Sequence, residues 1–475
     1  MSRKITIEPI TRIEGHARVT IHVNGGGEVE NAYLHVDQFR GFEKFCEGRM
    51  FFEMPVITPR ICGICPVSHH LVSAKACDMI AGVTPPRPAS LLRELMHMGQ
   101  MVQSHSMHFF HLAGPDLIFG FDADPAIRNV VGIIEANPEL ALKAVKLRKY
   151  GQEVIRIVSG RRIHPRFAVP GGVNKALTEK ERDELLAPID ELIGYMGEGL
   201  ALAKQWLEAN QDVVQRFANF SSGYMGMVDQ ETGALELYDG PVRLIDRDGK
   251  RLEQFDGACY LDYIREHVED WSYLKFPYYK KMGWPAGVYR VSPLGRLNVA
   301  DCISTPLANE EFKKFKSISQ GPVEPSLYMH YARLIEDIYA AERARELLED
   351  PDILSTDIIT ESNVITGEGV GVMEAPRGTL FHHYWTDENG QITRVNLIVA
   401  TGNNNWAMSH SVELVAKEFV DANNLTEGML NRVEAAIRAY DPCLSCSTHA
   451  IGQMPLVVEV RGPDGELVNR LQREV

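Results

Sequence analysis

The sequence predicts an α+β fold that is mainly helical and that carries an N-terminal β-hairpin and inserted β-hairpins. Long tracts in the middle of the chain repeat apolar residues at helical spacing, whereas residues 17–36 alternate around a turn at Gly25-Gly26-Gly27. Two further strand-turn-strand patterns occur at residues 235–255 and 379–400. No repeat or Gly/Ser-rich linker separates these parts, so we expect one intertwined domain over residues 1–449.

The helical tracts follow from apolar periodicity and from start and stop signals. Thr178 with Glu181 forms a capping-box pattern that opens one tract, and Pro188 should divide it. A later tract should stop before Pro351, and the last should end at Asp441-Pro442. The predicted helical tracts are residues 91–112, 137–159, 178–218, 327–348 and 426–439.

Composition narrows the class of protein. The chain has 475 residues, 45% of them hydrophobic, which is enough for a sizeable core. It has no run of about 18 apolar residues and its first residues do not resemble a signal peptide, so we expect a cytoplasmic protein without a membrane segment. The formal charge of −15 and the absence of a long basic run argue against a nucleic-acid partner. Eight cysteines in a reducing compartment favour thiols over disulfides.

Two cysteine pairs carry the chemistry. Cys62 and Cys65 form the first Cys-x-x-Cys, with His69 four residues on; Cys443 and Cys446 form the second, with His449 three residues on. Two intervening residues let both sulfurs of a pair reach one metal. Four thiolates make a soft site, which suits nickel, zinc, copper(I) or iron-sulfur better than magnesium or calcium.

Spacing alone leaves several interpretations open. Structural zinc is the commonest occupant of two such pairs, but zinc ribbons usually join their halves by a short loop. A thioredoxin-like dithiol would leave the second pair unexplained, and an iron-sulfur cluster fits four thiolates as well as nickel does.

The residues around the cysteines extend the pattern. Arg-x-Cys-Gly-x-Cys-x-x-x-His and Asp-Pro-Cys-x-x-Cys-x-x-His resemble the two signature motifs of the large subunit of nickel-iron hydrogenases. The resemblance continues, in order, at residues 11–16 (TRIEGH), 41–43 (GFE), 110–116 (FHLAGPD) and 374–378 (EAPRG). It therefore covers the chain from its first strand to its second cysteine pair.

The resemblance implies a nickel-iron centre that splits dihydrogen heterolytically. All four thiolates would bind nickel; Cys62 and Cys443 would be terminal ligands, while Cys65 and Cys446 would bridge to an iron that carries one carbonyl and two cyanides. Cys443 would accept the proton, and Arg377 would support the site, because an arginine is almost always protonated. Glu14 would relay protons outward.

The resemblance also assigns supporting residues. Glu43 and His449 would hold a magnesium, or sometimes an iron, and His69 would donate a hydrogen bond to a bridging sulfur. Asp116 and Asp441 would interact with Arg377. Thr401 would hydrogen-bond a cyanide ligand.

Residues 450–475 follow the second motif and resemble the tail that a maturation endopeptidase removes once nickel is inserted. They predict two strands, 456–461 and 466–471, around Pro463-Asp464-Gly465. We expect a propeptide that keeps Cys443 and Cys446 accessible until the metals are loaded.

The resemblance is greatest to soluble, NAD-linked hydrogenases. Electrons would then pass through an iron-sulfur small subunit to a flavin-containing diaphorase partner that reduces NAD+, since this chain has no second cysteine cluster to form a relay. Four alternatives stay open: a soluble hydrogenase with another acceptor, a hydrogen sensor, the quinone-site subunit of respiratory complex I and a zinc-stabilised structural protein.

Three tempting features have ordinary explanations. His105, His108 and His111 recur on one predicted helix, where a packed face is the expected role. The glycines at residues 367–371 lack the spacing and context of a nucleotide loop. Cys46, Cys77, Cys259 and Cys302 have no partner at ligand spacing, so we expect buried thiols.

Overall fold

The computed structural model describes residues 3–36, 38, 40–448, 457–463 and 466–472. The helices are α1 Phe42–Cys46, α2 Met54–Ile57, α3 Pro66–Ile80, α4 Arg87–Met107, α5 Gly114–Phe119, α6 Val130–Ala136, α7 Pro138–Ser159, α8 Glu179–Leu186, α9 Ile189–Ala209, α10 Gln211–Arg216, α11 Tyr260–Tyr263, α12 Ser292–Val299, α13 Pro306–Lys316, α14 Tyr328–Glu349, α15 Asn405–Phe419, α16 Glu427–Ala439 and α17 Leu444–Ser447.

The strands form several small sheets. They are β1 Arg3–Ile7, β2 Arg18–Val23, β3 Val29–His35, β4 Ala168–Val169, β5 Gly172–Val173, β6 Gly223–Met227, β7 Val242–Ile245, β8 Arg251–Phe255, β9 Ile264–Val268, β10 Lys275–Tyr279, β11 Tyr289–Arg290, β12 Glu368–Ala375, β13 Gly378–Thr386, β14 Ile392–Ile398, β15 Val457–Arg461 and β16 Leu467–Gln472. The sheet orders are β1-β2-β3, β4-β5, β11-β6-β7-β8, β9-β10, β12-β13-β14 and β15-β16.

A helical core occupies the middle of the chain, as predicted. Helix α4 packs against α7 and α14, and α14 also packs against α9. Just beyond α4 the chain continues through one π-helical segment, His108–Ala113, into α5. In the part of the chain described above, no helix is both long enough and apolar enough to cross a membrane.

One sheet packs closely against the helix that follows the first cysteine pair. Strands β12, β13 and β14 form this sheet, and β12 and β13 both contact α3. Gly371 makes the approach possible, because a Cβ there would lie 1.9 Å from the Val72 carbonyl oxygen. Helix α3 starts at Pro66, directly after Cys65, so this packing also places one ligand of the candidate metal site.

The predicted elements are largely confirmed. The β2–β3 hairpin, α7, α14 and α16 lie where expected, and Thr178 and Glu181 form the capping box of α8. Helices α8, α9 and α10 divide the tract at residues 178–218. The two inserted hairpins are β7–β8 and β13–β14, and β15–β16 is the hairpin expected in the tail.

Two predictions need correction, and some elements were not predicted. Helix α4 starts at Arg87 rather than residue 91 and gives way to π-helical geometry at His108. Each inserted hairpin belongs to a larger sheet, since β12 joins β13 and β6 joins β7. Strand β1 and the β9–β10 hairpin were not predicted.

Candidate metal centre

The four cysteines of the two pairs meet in the interior. The Sγ atom of Cys443 lies 2.8 Å from that of Cys446 and 3.3 Å from that of Cys62, and the Cys65 and Cys446 sulfurs are 3.2 Å apart. All four sulfurs lie within 4.8 Å of one another, and each cysteine is at most 5% exposed. Among the described residues this is the one cluster of metal-ligating side chains of that size.

The local backbone conformation orients each cysteine pair towards the four-sulfur cluster. Cys62 follows the 3₁₀ turn Thr58–Ile61, and Pro66 starts α3 immediately after Cys65, where a proline fits the first helical position. On the other side, Asp441 adopts a positive φ of 52°, which turns the chain after α16 so that Cys443 and Cys446 face inward. The two pairs therefore sit on separate elements that tertiary packing brings together.

Electrostatics favours a bound cation at this position. Burial raises the pKa of Cys443 and of Cys446 well above the ordinary thiol value. The pKa of Cys62 is lowered instead, because the other three cysteines, Cys443 first, form hydrogen bonds with its sulfur. Four adjacent buried sulfurs cannot all become thiolates unless positive charge compensates them. A soft metal ion supplies that charge, so the donor set fits the predicted centre.

Glu14 reaches the centre from the N-terminal segment. Its Oε2 atom lies 3.0 Å from Cys443 Sγ and accepts a hydrogen bond from the Ser445 N–H at 3.0 Å. The Leu444 N–H donates to the Glu14 carbonyl oxygen, which joins the two segments in a parallel β-bridge. Glu14 is only partly buried, so its carboxylate lies between the buried sulfur and the outside of the chain.

Arg377 lies beside the centre and is held by Asp441. Its Nε atom donates to the Asp441 carbonyl oxygen at 2.5 Å, and its Nη2 atom donates to Oδ1 at 3.0 Å. Burial alone would lower the pKa of Arg377, but the Coulombic attraction of Asp441 and Cys443 raises the pKa above its ordinary value. Arg377 therefore stays a guanidinium, as expected for a supporting charge.

His69 contacts the sulfur that the resemblance makes a bridging ligand. Its Nε2 atom is 3.4 Å from Cys446 Sγ, and its Nδ1 atom is 3.0 Å from His382 Nε2. His382 Nδ1 lies 2.6 Å from the Tyr384 hydroxyl. The predicted role of His69 thus has a suitable geometry, while sequence reasoning missed His382 and Tyr384.

A small cavity adjoins Cys65 and Cys446. Ser68, Arg377, Leu380 and Thr401 contribute to its lining. Ser68 Oγ and Arg377 Nη1 are buried and have no hydrogen-bond partner among the residues that the structure describes. Such donors fit small acceptor ligands in the cavity, because a buried donor left unpaired is costly. Thr401 Oγ1 accepts a hydrogen bond from the Cys443 N–H at 3.0 Å.

Asp116 lies elsewhere, so its predicted contact with Arg377 needs correction. It forms ion pairs of 2.6 Å with Arg12 and with Arg438. The π-helical segment before α5 turns Asp116 towards α16 rather than towards the cysteines. Arg12 is two residues before Glu14, so Asp116 fixes the segment that carries Glu14.

The predicted magnesium ligands are only partly described. Glu43 lies in the first turn of α1, and its side chain accepts a hydrogen bond from the Leu397 N–H at 2.8 Å. Burial raises the pKa of Glu43, and the positive charge of Lys275 opposes that increase. His449 lies outside the described residues, so its pairing with Glu43 stays a prediction.

The features with ordinary explanations behave mostly as expected. His105 bonds Glu336 at 3.0 Å, and His108 bonds the Arg438 carbonyl oxygen at 2.7 Å, so these histidines belong to a packed helix face. Cys46 and Cys77 are buried. The expectation was wrong for Cys259, which is exposed in a turn, and for Cys302, which is partly exposed.

Comparison with known proteins places this fold and site in one class. The family described as nickel-dependent hydrogenase matches residues 40–127 and 230–449, and a family described as HoxL-like matches residues 4–39. The chain therefore belongs to the nickel-dependent hydrogenases. Its fold and its four-cysteine site define a catalytic hydrogenase subunit.

Individual relatives narrow the comparison. The chain is 47% identical to the NAD-reducing hydrogenase HoxS subunit beta of Cupriavidus necator, over 100% of both chains. It is also 47% identical to one chain of the F420-non-reducing hydrogenase vhu of Methanococcus voltae, over 87% of this chain and 98% of that one.

Solved structures agree with these relatives. A crystal structure of an NAD+-reducing [NiFe]-hydrogenase in the H2-reduced state superposes with a TM-score of 0.91 and 44% identity, covering 94% of this chain and 99% of the other. The Ni-Fe-Se hydrogenase from D. vulgaris Hildenborough matches at a TM-score of 0.77 and 23% identity, over 94% and 100% of the two chains, which shows the shared fold. The predicted α+β class and the predicted family are thereby confirmed.

Proposed function

We propose that this subunit reversibly cleaves dihydrogen into a proton and reducing equivalents, and that its partners pass the electrons to NAD+. The observation that carries the proposal is the contact of the Glu14 carboxylate with Cys443 inside a buried four-cysteine cluster. A nickel-iron centre bound there would supply the redox-active metals that polarise dihydrogen. The residues of the chain then hold the centre and move the proton.

Cys62, Cys65, Cys443 and Cys446 would hold the nickel, and Cys65 and Cys446 would also bind an iron with one carbonyl and two cyanide ligands. The cavity beside Cys65 and Cys446 supports this division of roles. Two buried donors of its lining, Ser68 Oγ and Arg377 Nη1, have no partner within the described part of the chain and fit the acceptor ends of such diatomic ligands. Thr401 Oγ1 would provide a further donor.

The proton would leave through Cys443 and Glu14. Cys443 is fully buried, whereas Glu14 is partly exposed and lies 3.0 Å from the Cys443 sulfur, a distance that allows direct transfer. Arg377 lies beside the sulfurs as a fixed positive charge, because Asp441 keeps it protonated and oriented. Its charge would stabilise the thiolates without taking the proton itself.

Substitution of Glu14 tests the proton path. Glu14→Gln keeps the size and the hydrogen-bond acceptor of the side chain but removes its ability to exchange a proton. We expect dihydrogen oxidation to fall at least about 100-fold, while nickel and iron contents and the infrared bands of bound carbonyl and cyanide remain. Glu8→Gln, an exposed acid on the same segment, is the matched control and should keep full activity. A fully active Glu14→Gln enzyme would refute the path, and wild-type protein with zinc but no nickel would refute the centre.

The electron path is inferred from the relatives. One relative that aligns over the whole of both chains is named an NAD-reducing hydrogenase. Purification of the native complex should yield an iron-sulfur small subunit and a flavin-containing diaphorase, together with dihydrogen-dependent NAD+ reduction. Reduction of viologen dyes without NAD+ reduction would favour another acceptor, as the similarity to an F420-non-reducing enzyme allows.

Residues 450–475 form the proposed maturation propeptide. Within them, β15 and β16 pair as an antiparallel hairpin. An endopeptidase would remove this segment after His449 once nickel is bound. Intact-mass measurement of active enzyme should show a chain that ends at residue 449, and retention of the tail in a fully active preparation would refute processing.

Magnesium bound by Glu43 and His449 is the remaining part of the proposed centre. A buried carboxylate suits a hard cation. Elemental analysis of the processed enzyme should give magnesium, or additional iron, in stoichiometric amount. Glu43→Gln should remove that metal without removing nickel.

A further inference from the structure

A line of buried polar side chains leads away from Cys446. His69 Nε2 lies 3.4 Å from the Cys446 sulfur, and His69 Nδ1 lies 3.0 Å from His382 Nε2. His382 Nδ1 is 2.6 Å from the Tyr384 hydroxyl, which is also placed to donate to Ser73 Oγ at 2.9 Å. All of these side chains are at most 1% exposed, so water does not compete for these bonds.

Strand geometry explains why two of these residues act together. His382 and Tyr384 are two positions apart on β13, so both side chains point to the face that meets α3. Leu380, on the same face, lines the cavity beside the cysteines. His383 points to the opposite face, where its Nδ1 atom contacts the Tyr260 hydroxyl at 3.1 Å.

When a metal is bound to Cys446, the hydrogen bonds among His69, His382 and Tyr384 can have only one assignment of donors and acceptors. A metal-bound sulfur carries no proton, so a hydrogen bond to Cys446 requires a proton on His69 Nε2. A neutral His69 then accepts at Nδ1 from the Nε2–H of His382. His382 in turn accepts at Nδ1, so the single hydroxyl proton of Tyr384, which can also be donated to Ser73 Oγ, must point to His382 when a metal is bound.

The opposite placement of the protons would remove the hydrogen bond to Cys446. If Tyr384 did not donate to His382, the His382 proton would move to Nδ1 and His69 would donate from its own Nδ1. His69 Nε2 would then present a lone pair to the lone pairs of the Cys446 thiolate. Tyr384 therefore decides which tautomer faces the sulfur.

We propose that His382 and Tyr384 are positioning residues that hold His69 in the tautomer that donates a hydrogen bond to Cys446, and that they thereby set the electron density at the metal centre. The inference rests on the proposed function, since Cys446 must be a metal ligand. A hydrogen bond withdraws charge from a ligating sulfur, so its loss makes the metal richer in electrons. An iron carbonyl reports this change, because greater back-donation lowers its stretching frequency.

Tyr384→Phe tests the inference by removing only the hydroxyl. In the native complex we expect the infrared band of the carbonyl to shift to lower wavenumber, with nickel and iron contents maintained. Tyr260→Phe is the matched control: it also removes a buried tyrosine hydroxyl that bonds a β13 histidine, but on the far face of the strand. Its carbonyl band should stay at the wild-type position.

A second pair of variants covers the case in which Tyr384→Phe does not load its metals. His382→Gln keeps an N–H donor for His69, because the amide of glutamine carries its protons whether or not Tyr384 donates to it. The carbonyl band of this variant should therefore remain near the wild-type position. His382→Leu has no donor, and its band should shift to lower wavenumber. Unshifted bands in Tyr384→Phe or in His382→Leu would overturn the inference. Wild-type protein without carbonyl and cyanide bands would instead overturn the proposed function.

Discussion

Gly371 lies where β12 passes beneath α3, and replacing it with alanine should disturb the metal centre from a distance. A Cβ at this position would lie 1.9 Å from the Val72 carbonyl oxygen, whereas ordinary contact begins at 3.4 Å. The helix or the strand must therefore move by about 3.4 − 1.9 = 1.5 Å. The φ of Gly371 is not in the left-handed region, so the cost is steric, at least about 1–3 kcal/mol of the free energy of unfolding.

The same displacement acts on Cys65, because α3 begins at the next residue. A shift of this size is about half of the 3.2 Å that separates the Cys65 and Cys446 sulfurs. Gly371→Ala should therefore lower the melting temperature, the nickel content and dihydrogen turnover together. Gly194→Ala is the control, since Gly194 is exposed on α9 and its Cβ would meet nothing within 4 Å. Wild-type nickel content in Gly371→Ala would show that the α3–β12 contact does not place the cysteine.

Two further predictions concern stability. Burial lowers the pKa of His70 to about 4, so the stability that its neutral form contributes should be lost as the pH falls from about 6.5 to 4, by up to about 3 kcal/mol. His70→Gln should flatten this part of a melting-temperature profile against pH, and parallel profiles would contradict the assignment. Asp116→Asn leaves Arg12 and Arg438 without their shared buried carboxylate and should lower the free energy of unfolding by about 3–5 kcal/mol. Its infrared bands should stay unshifted, and a shifted band at unchanged stability would restore the predicted contact with Arg377.

Local signals made some elements predictable. The capping box of Thr178 and Glu181 depends on residues three apart, and the structure confirms it. Strand β1 was missed because its pattern becomes meaningful only beside β2. The β9–β10 hairpin was missed because it lacks a two-residue Asn-Gly or Asp-Gly turn and has Pro277 within a strand.

The candidate site also contains residues that local sequence patterns could identify and residues that depend on tertiary packing. Motifs identified the cysteines and Glu14, whose contacts the structure then supplied. Alternation along β13 could have placed His382 and Tyr384 on one face, but sequence could not tell which face meets α3. Asp116 shows the opposite difficulty: its motif was found, but its partners depend on how the π-helical segment turns the chain.

The two cysteine pairs also have a mechanical consequence. Cys62 and Cys443 are 381 positions apart, so a metal bound to both would close most of the 475-residue chain into a loop. In the chain-entropy description, a cross-link that closes a loop of this length raises the free energy of the unfolded chain by about 6 kcal/mol. The bound metals would thus act as a reversible cross-link that stabilises the fold, in addition to their catalytic role. Its loss would free both pairs at once and let the N-terminal sheet and α16 loosen together.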